Sequence, residues 1–209
     1  FNKELVDTIN LSNEKKYIFF SGIGINAHSS SKRIKAIFKT EEYIRKNCKN
    51  SCIIKPGIVL GGGDKFLKRL IFIFSISYII PIFGKGDNKL QPVYVDDVAK
   101  AIVNIVAKKE AGINFFELVG EDTFSYKELY ILICECLKIS RIFVPLPIFF
   151  ARILIKILEL TPINLITSEQ FKLFVSDNTA TGKYKTFENL GIAPKNLREI
   201  IKVSVNKIV

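Results

Sequence analysis

The stretch PVYVDDVAKAIVNIVAKK, Pro92 to Lys109, changes period halfway along. Val93 and Val95 alternate as strand residues do; Val98, Ala101, Ile102, Ile105 and Val106 then recur at helical spacing. Asp96 or Asp97 stands where a helix takes an N-cap, since a short side-chain oxygen satisfies the orphan N–H groups of the first turn. As paired carboxylates they would serve acid–base chemistry only if they flanked a reacting bond, so capping is the better account at this junction. A strand that runs straight into a helix is the repeating unit of an α/β protein.

The same alternation extends in both directions. YIFF (17–20) reads as a short buried strand ending at SGIG, and residues 31–47 as a helix capped by the serines before it. SCIIKPGIVL (51–60) reads as one buried strand, rich in branched residues. GGGD follows as a loop, with Asp64 capping the helix KFLKRLIFIF, and FGKGDNKLQ (83–91) is a turn-rich connection. NFFELVG (114–120) is a further strand. Ser125 and Glu128 have the spacing of a capping box for a helix reaching about Leu137. RIFVPLP is extended, a helix follows Pro147, and a shorter one spans Ser168 to Val175. Strands apolar on both faces, alternating with helices, predict a parallel sheet covered on both sides.

Composition narrows the function classes. The chain has 209 residues, 48% of them hydrophobic, enough for one sizeable core or a core with an appendage. It contains no Met, even at position 1, which reads as a segment of a longer chain. The net charge of +11 fits an acidic partner, an anionic membrane surface or a solvated lysine-rich exterior. No basic cluster is interleaved with aromatics and no nucleic-acid motif occurs, so no nucleic-acid partner is expected. Cys48, Cys52, Cys134 and Cys136 form no C-x-x-C pair and His28 is the sole histidine, so no metal site is expected. The cysteines read as reduced thiols of a cytoplasmic protein, and no signal peptide is visible. LIFIFSISYIIPIF (70–83) is too short to cross a bilayer and is interrupted by Pro81, while IFFARILIKILEL (148–160) carries Arg152, Lys156 and Glu159.

Two glycine-rich stretches invite a nucleotide reading. GIGINA (22–27) imitates the G-x-G-x-x-G/A fingerprint, but that motif needs a helix starting within it and an acid ending the next strand. Here polar residues intervene and the next strand ends IVL, so the match is rejected. GGGDK (61–65) lacks the ending of a phosphate-binding loop, and reads either as a turn or as a close approach of backbone to a ligand. His28 lies in a polar loop, and no Ser/His/Asp set can be built on it.

The order of motifs is informative as a whole: YIFFSGIG, a serine-rich loop and helix, IIKPGIVLGGGDKF, GKGDNKLQPVYVDDVAKAI, NFFELVGEDTFSYKEL, then VPLP and an apolar helix. This order resembles the atypical extended short-chain dehydrogenase/reductases of the NAD-dependent epimerase/dehydratase type. The nearest group is that of the 39 kDa subunit of respiratory complex I and its bacterial homologues. The resemblance covers almost the whole chain and begins before the family's fifth strand. It implies the C-terminal part of a Rossmann-like parallel sheet with a small, mainly helical C-terminal domain. Residues 1–120 would form the C-terminal half of the NAD(P)-binding domain, with 61–92 contributing to the small domain, and 121–209 would form the small domain itself. The family binds NAD(H) or NADP(H) through a glycine-rich loop on its first strand and helix, which this stretch does not contain. Tight cofactor binding by these residues alone is therefore not expected. Half a sheet would also leave an open strand edge, so the isolated chain is expected to be marginal and prone to aggregate.

The resemblance also locates the site. Ser21 or Gly22 falls at the helper hydroxyl after the first strand, and Pro56, Gly57, Ile58 and Val59 fall at the nicotinamide-side contacts. The catalytic Tyr-x-x-x-Lys of active relatives falls on Arg33 and Ile37. Isoleucine can neither lower a tyrosine's pKa nor hold ribose hydroxyls, and an always-protonated guanidinium is a poor proton shuttle. Tyr43 is no substitute, because Asn47 lies four residues on. The expectation is a non-catalytic accessory or assembly subunit, partnered by respiratory complex I subunits or the inner face of the respiratory membrane. The helix 148–160 is read either as a core helix or as the membrane-docking element. The alternatives are a reductase or epimerase with relocated groups such as Lys35, Lys39 or Tyr94, and a non-functional remnant.

Overall fold

The structure is a computed structural model that describes residues 2–11, 16–29, 31–61, 63–108, 111–160 and 167–208. The chain divides into two compact units, each discontinuous in sequence. The first comprises 1–57, 95–119 and 180–194, and the second 58–94, 120–179 and 195–209.

The first unit is built on three parallel strands in the order β1 (Tyr17–Phe20), β2 (Ser51–Pro56), β7 (Ile113–Leu118). Tyr17 pairs with Ser51 and Ser51 with Ile113, so side chains two apart on each strand share a face. On one face Ile53 and Phe115, with Tyr17 and Phe19, cluster with Val6 of α1 (Asn2–Asn10) and with Ile44 and Cys48 at the end of α2 (Lys32–Asn47). On the other face Phe116 and Asn114 lie beside Ile105 of α4 (Val95–Ala107). Helices on both faces are what the two-sided apolar strands predict. The segment 180–194 continues the sheet beyond β7. Lys185 N–H donates to the Phe115 carbonyl (3.1 Å) and Glu117 N–H to the Lys185 carbonyl (2.8 Å).

The second unit holds three two-stranded ribbons. β3 (Val59–Leu60) pairs in parallel with β6 (Val93–Tyr94), and β4 (Ile79–Phe83) in parallel with β9 (Ile142–Leu146). β5 (Lys89–Leu90) pairs antiparallel with β8 (Phe124–Ser125). Its helices are α3 (Lys65–Ile76), α5 (Tyr126–Leu137), α6 (Ile148–Glu159), α7 (Ser168–Phe174) and α8 (Leu197–Ile208). Its core is strongly aromatic. Phe83 meets Phe171 and Phe174 edge-on at 5.0 and 5.3 Å, and Phe74 meets Tyr130 at 5.2 Å.

The expected caps form. Ser31 accepts from Ile34 N–H, Asp64 from Leu67 N–H, and Ser125 and Glu128 complete their capping box. Two readings need correction. SCIIKPGIVL is two strands, β2 and β3, in different sheets, because the chain leaves the first unit after Gly57. Asp96 and Asp97 lie inside the first turn of α4, since the helix starts at Val95 directly from β6. The helix expected over KFLKRLIFIF forms as α3, and the rest of the apolar run 70–83 enters β4, in which Pro81 is accommodated because the ribbon has open edges. Gly62 of the glycine loop and Lys109 of the opening stretch lie outside the described residues.

Candidate functional site

Ligand sites in parallel sheets form at the carboxyl ends of the strands. In the first unit those ends bring together Ser21, Gly22, Pro56 and Gly57. Ser21 N–H donates to the Ile54 carbonyl (2.8 Å), Ile23 N–H to the Pro56 carbonyl (3.0 Å) and Gly57 N–H to the Leu118 carbonyl (3.0 Å). These bonds hold the chain leaving each strand against its neighbour. Ile58 and Val59 belong to the second unit, where the Ile58 carbonyl accepts from Val93 N–H (2.9 Å) and Val59 opens β3.

The side chains add a buried ionic cluster that sequence reading did not anticipate. The Lys55 ammonium, at the end of β2, lies 2.8 Å from a carboxylate oxygen of Glu41 on α2, and both side chains are about nine-tenths buried. The other Glu41 oxygen accepts from the Ser21 hydroxyl. The Tyr184 ring lies over the ammonium at 5.8 Å and stacks on Phe115 at 5.1 Å. Next to Lys55 across the ladder, Glu117 accepts from Thr181 N–H (2.9 Å), Thr181 Oγ1 (2.8 Å) and Gly182 N–H (3.1 Å), fastening the segment 180–194 to the sheet. A cavity of about 300 Å³ opens beside the cluster, walled by Phe38, Phe115 and Tyr184, with the Arg45–Glu42 pair (2.9 Å) also lining it. A signal for the cluster was present. A lone lysine inside the apolar run SCIIKPGIVL has to find a buried partner.

On α2, Arg33 is exposed and has no ion pair among the described residues, and Ile37 is half-buried. Lys35 and Lys39 are exposed on the same helix. Tyr94, in the second unit, is buried beneath the Lys195 ammonium (4.6 Å from the ring centroid). Burial raises the pKa of Tyr17, Tyr126 and Tyr130, and of the Cys134 and Cys136 thiols. That direction is wrong for a proton shuttle or a nucleophile near neutral pH. GIGINA forms a loop, with α2 starting only at Lys32, and Asn26 closes a local turn through its bond from His28 N–H (3.0 Å). Among the described residues no three of His, Cys, Asp and Glu cluster as metal ligands, and no helix is long and apolar enough to cross a membrane.

Parallel strands, flanking helices and this order of elements define a Rossmann-like α/β fold, the fold of solved epimerases that carry NAD or NADPH. Human epimerase family protein SDR39U1, solved with NADPH, superposes with a TM-score of 0.69 at 13% identity, over 98% of this chain and 71% of that one. UDP-glucuronic acid 4-epimerase from Bacillus cereus, solved with UDP-glucuronic acid and NAD, gives 0.66 at 14% identity, over 99% and 65%. The sequence homologues are more particular. The mitochondrial NADH dehydrogenase [ubiquinone] 1 alpha subcomplex subunit 9 of Arabidopsis thaliana is 28% identical over 203 residues, 88% of this chain and 48% of the relative. The Mus musculus subunit of the same name is 27% identical over 186 residues. The mitochondrial NADH-ubiquinone oxidoreductase 40 kDa subunit of Neurospora crassa is 22% identical over 185 residues. The chain spans about half the length of the curated relatives it matches. No protein-family model matches it.

Proposed function

We infer that this chain is part of a non-catalytic accessory subunit of a respiratory NADH dehydrogenase, using a nucleotide-binding fold for structure and docking. The observation that carries this reading is the identity of α2. Where active relatives of the fold would present Tyr-x-x-x-Lys, this helix presents exposed Arg33 and half-buried Ile37. The nearby Ser21 hydroxyl is engaged with Glu41. A protonated guanidinium and an aliphatic side chain cannot run a proton relay. The homologues named as mitochondrial NADH dehydrogenase subunits support the assembly, and the position that goes with this reading is peripheral, on the inner face of the respiratory membrane.

Ser21, Gly22, Pro56, Gly57, Ile58 and Val59 would contact NAD(H) or NADP(H), the last four on its nicotinamide side. These contacts lack the βα turn that grips a pyrophosphate, so this chain alone binds the cofactor weakly. Relocated catalysis is not favoured. Lys35 and Lys39 are solvated, and Tyr94 is buried in an aromatic–cation contact.

The test is native electrophoresis of solubilised membranes from cells expressing a tagged form, probed for the tag and stained for NADH dehydrogenase activity. Co-migration with the active band is expected. Separate migration, or NADPH-dependent hydride transfer by the purified protein, would overturn the assignment. Calorimetric titration of the 209-residue chain with NADPH should show no micromolar site.

A further inference from the structure

Among the described residues, twenty-one large apolar side chains are exposed, and thirteen of them fall in two short segments of the second unit, 72–79 and 142–160. One group lies on the β4–β9 ribbon. Ile79 is paired with Ile142, and Pro81 with Val144. All four are exposed, while Ile80 and Ile82 turn into the core. The ribbon's outer face is therefore an apolar strip with no layer over it among the described residues. The second group lies on α6. Ala151 and Ile155 are buried, whereas Phe149, Phe150, Ile153, Leu154 and Ile157 are exposed, Phe149 to 69%. The two groups adjoin where the Ile148 side chain meets Gly84 at the end of β4. A monomeric soluble surface rarely carries this much contiguous apolar area without a partner.

The charges identify the partner. Segments 65–89 and 138–160, which contain both groups, hold nine Lys and Arg against two carboxylates, Asp87 and Glu159, a surplus of seven in a chain of net +11. Glu159 is engaged at the start of α7, accepting from Ser168 N–H (2.5 Å) and Oγ (2.7 Å). Arg152 and Lys156 have no ion pair among the described residues. The Arg141 guanidinium donates to two backbone carbonyls, those of Phe74 and Ser140, so no carboxylate neutralises it there. Exposed aliphatic and aromatic side chains bordered by unneutralised cations match a bilayer surface, with acyl chains beneath a layer of anionic headgroups.

We propose that the outer face of the β4–β9 ribbon and the outer face of α6 together form a docking surface for an anionic lipid bilayer. This deepens the peripheral-membrane part of the reading above and rests on it for location only. The helix supplies a shallow apolar insertion and the ribbon a second, independent contact. Arg141, Arg152 and Lys156 bind headgroups.

The test is flotation of the 209-residue chain with vesicles of phosphatidylcholine alone, and of phosphatidylcholine mixed with phosphatidylglycerol. The chain should float with the anionic vesicles, much less with the neutral ones, and should be released by salt. Ile153→Asp with Ile157→Asp on the helix, and Ile79→Asp with Val144→Asp on the ribbon, should each weaken binding by about tenfold. The substituted side chains are exposed, and circular dichroism would check that both variants fold. Full binding by both double variants, or equal salt-independent binding to both vesicle types, would overturn the proposal. So would self-association abolished by the same substitutions without vesicle binding, which would mark a contact between copies or with a protein. Absent vesicle binding with intact co-migration in native gels would remove this surface and leave the accessory-subunit reading standing. The reverse pattern would remove that reading and leave the surface.

Discussion

The pair formed by Lys55 and Glu41 is buried deeply enough that neither charge can be left alone cheaply. Removing one member of such a pair leaves an uncompensated charge, whereas removing both leaves only a packing change. Lys55→Met should therefore lower stability by about 3 kcal/mol, and Lys55→Met with Glu41→Leu should recover most of that loss. Urea unfolding of the two variants checks the prediction; an unchanged midpoint in the single variant would mean the ammonium is solvated in solution. Individual residues were unevenly legible in the sequence. The replaced positions Arg33 and Ile37 could be read because a motif fixes their spacing. Glu41 and Tyr184 could not, because their importance arises where α2 and the segment 180–194 converge on β2, a contact between residues more than a hundred positions apart. Lys55 was the exception, since its position inside an apolar run announced that it needed a partner.

Helix ends carry the clearest local chemistry. At the start of α5, Glu128 accepts from Ser125 N–H (2.6 Å) and Oγ (2.7 Å), while Glu128 N–H donates to Ser125 Oγ (3.1 Å). The first of these bonds, the one from the Ser125 N–H, contributes most to holding the Glu128 carboxyl below its ordinary pKa, followed by the one from the hydroxyl. The folded-state value lies below the unfolded one, so this stabilisation is complete above the unfolded carboxylate range and is lost as pH falls through the lowered folded value. The melting-temperature difference between wild type and Glu128→Gln should be present at neutral pH and vanish in acid. Ser125→Ala removes the acceptor for the Glu128 N–H as well, and should cost about 1 kcal/mol in chemical denaturation. Gly120 is a different kind of constraint. Its N–H donates to the Pro92 carbonyl (3.1 Å), and an added Cβ would overlap that same oxygen. Gly120→Ala should destabilise the second unit by about 2 kcal/mol in the same denaturation assay. Elements with a local cause were readable beforehand, including the three side-chain caps and the period change at Val95. The division of SCIIKPGIVL was not, because both halves are equally apolar and only their pairing partners differ. α8 was as legible as the caps: Pro194 breaks the chain before it, Leu197, Ile200, Ile201 and Val205 recur at helical spacing, and the Asn196 side chain accepts from Glu199 N–H (2.9 Å).

Across the molecule, the α/β class was legible because alternating strand and helix periods survive any ambiguity of boundary. The allocation of segments to units was not, since it depends on which neighbour each strand finds. In the first unit β1 bonds to β2 alone among the described residues, and Phe20 at its end is half-exposed. An uncovered strand edge is a template for pairing with another chain, and a lysine on it opposes such pairing. Phe20→Lys should reduce concentration-dependent association in sedimentation while leaving the circular dichroism spectrum unchanged; equal association would place the sticky surface elsewhere. The two compact units share the chain by turns, passing from one to the other after Gly57, Tyr94, Val119, Thr179 and Pro194. The consequence is genetic. No uninterrupted reading frame encodes either unit, so recombination cannot transplant one of them whole. A stop codon anywhere between residues 58 and 194 deprives both units of residues at once, and loss of function from such a lesion cannot be assigned to either unit alone.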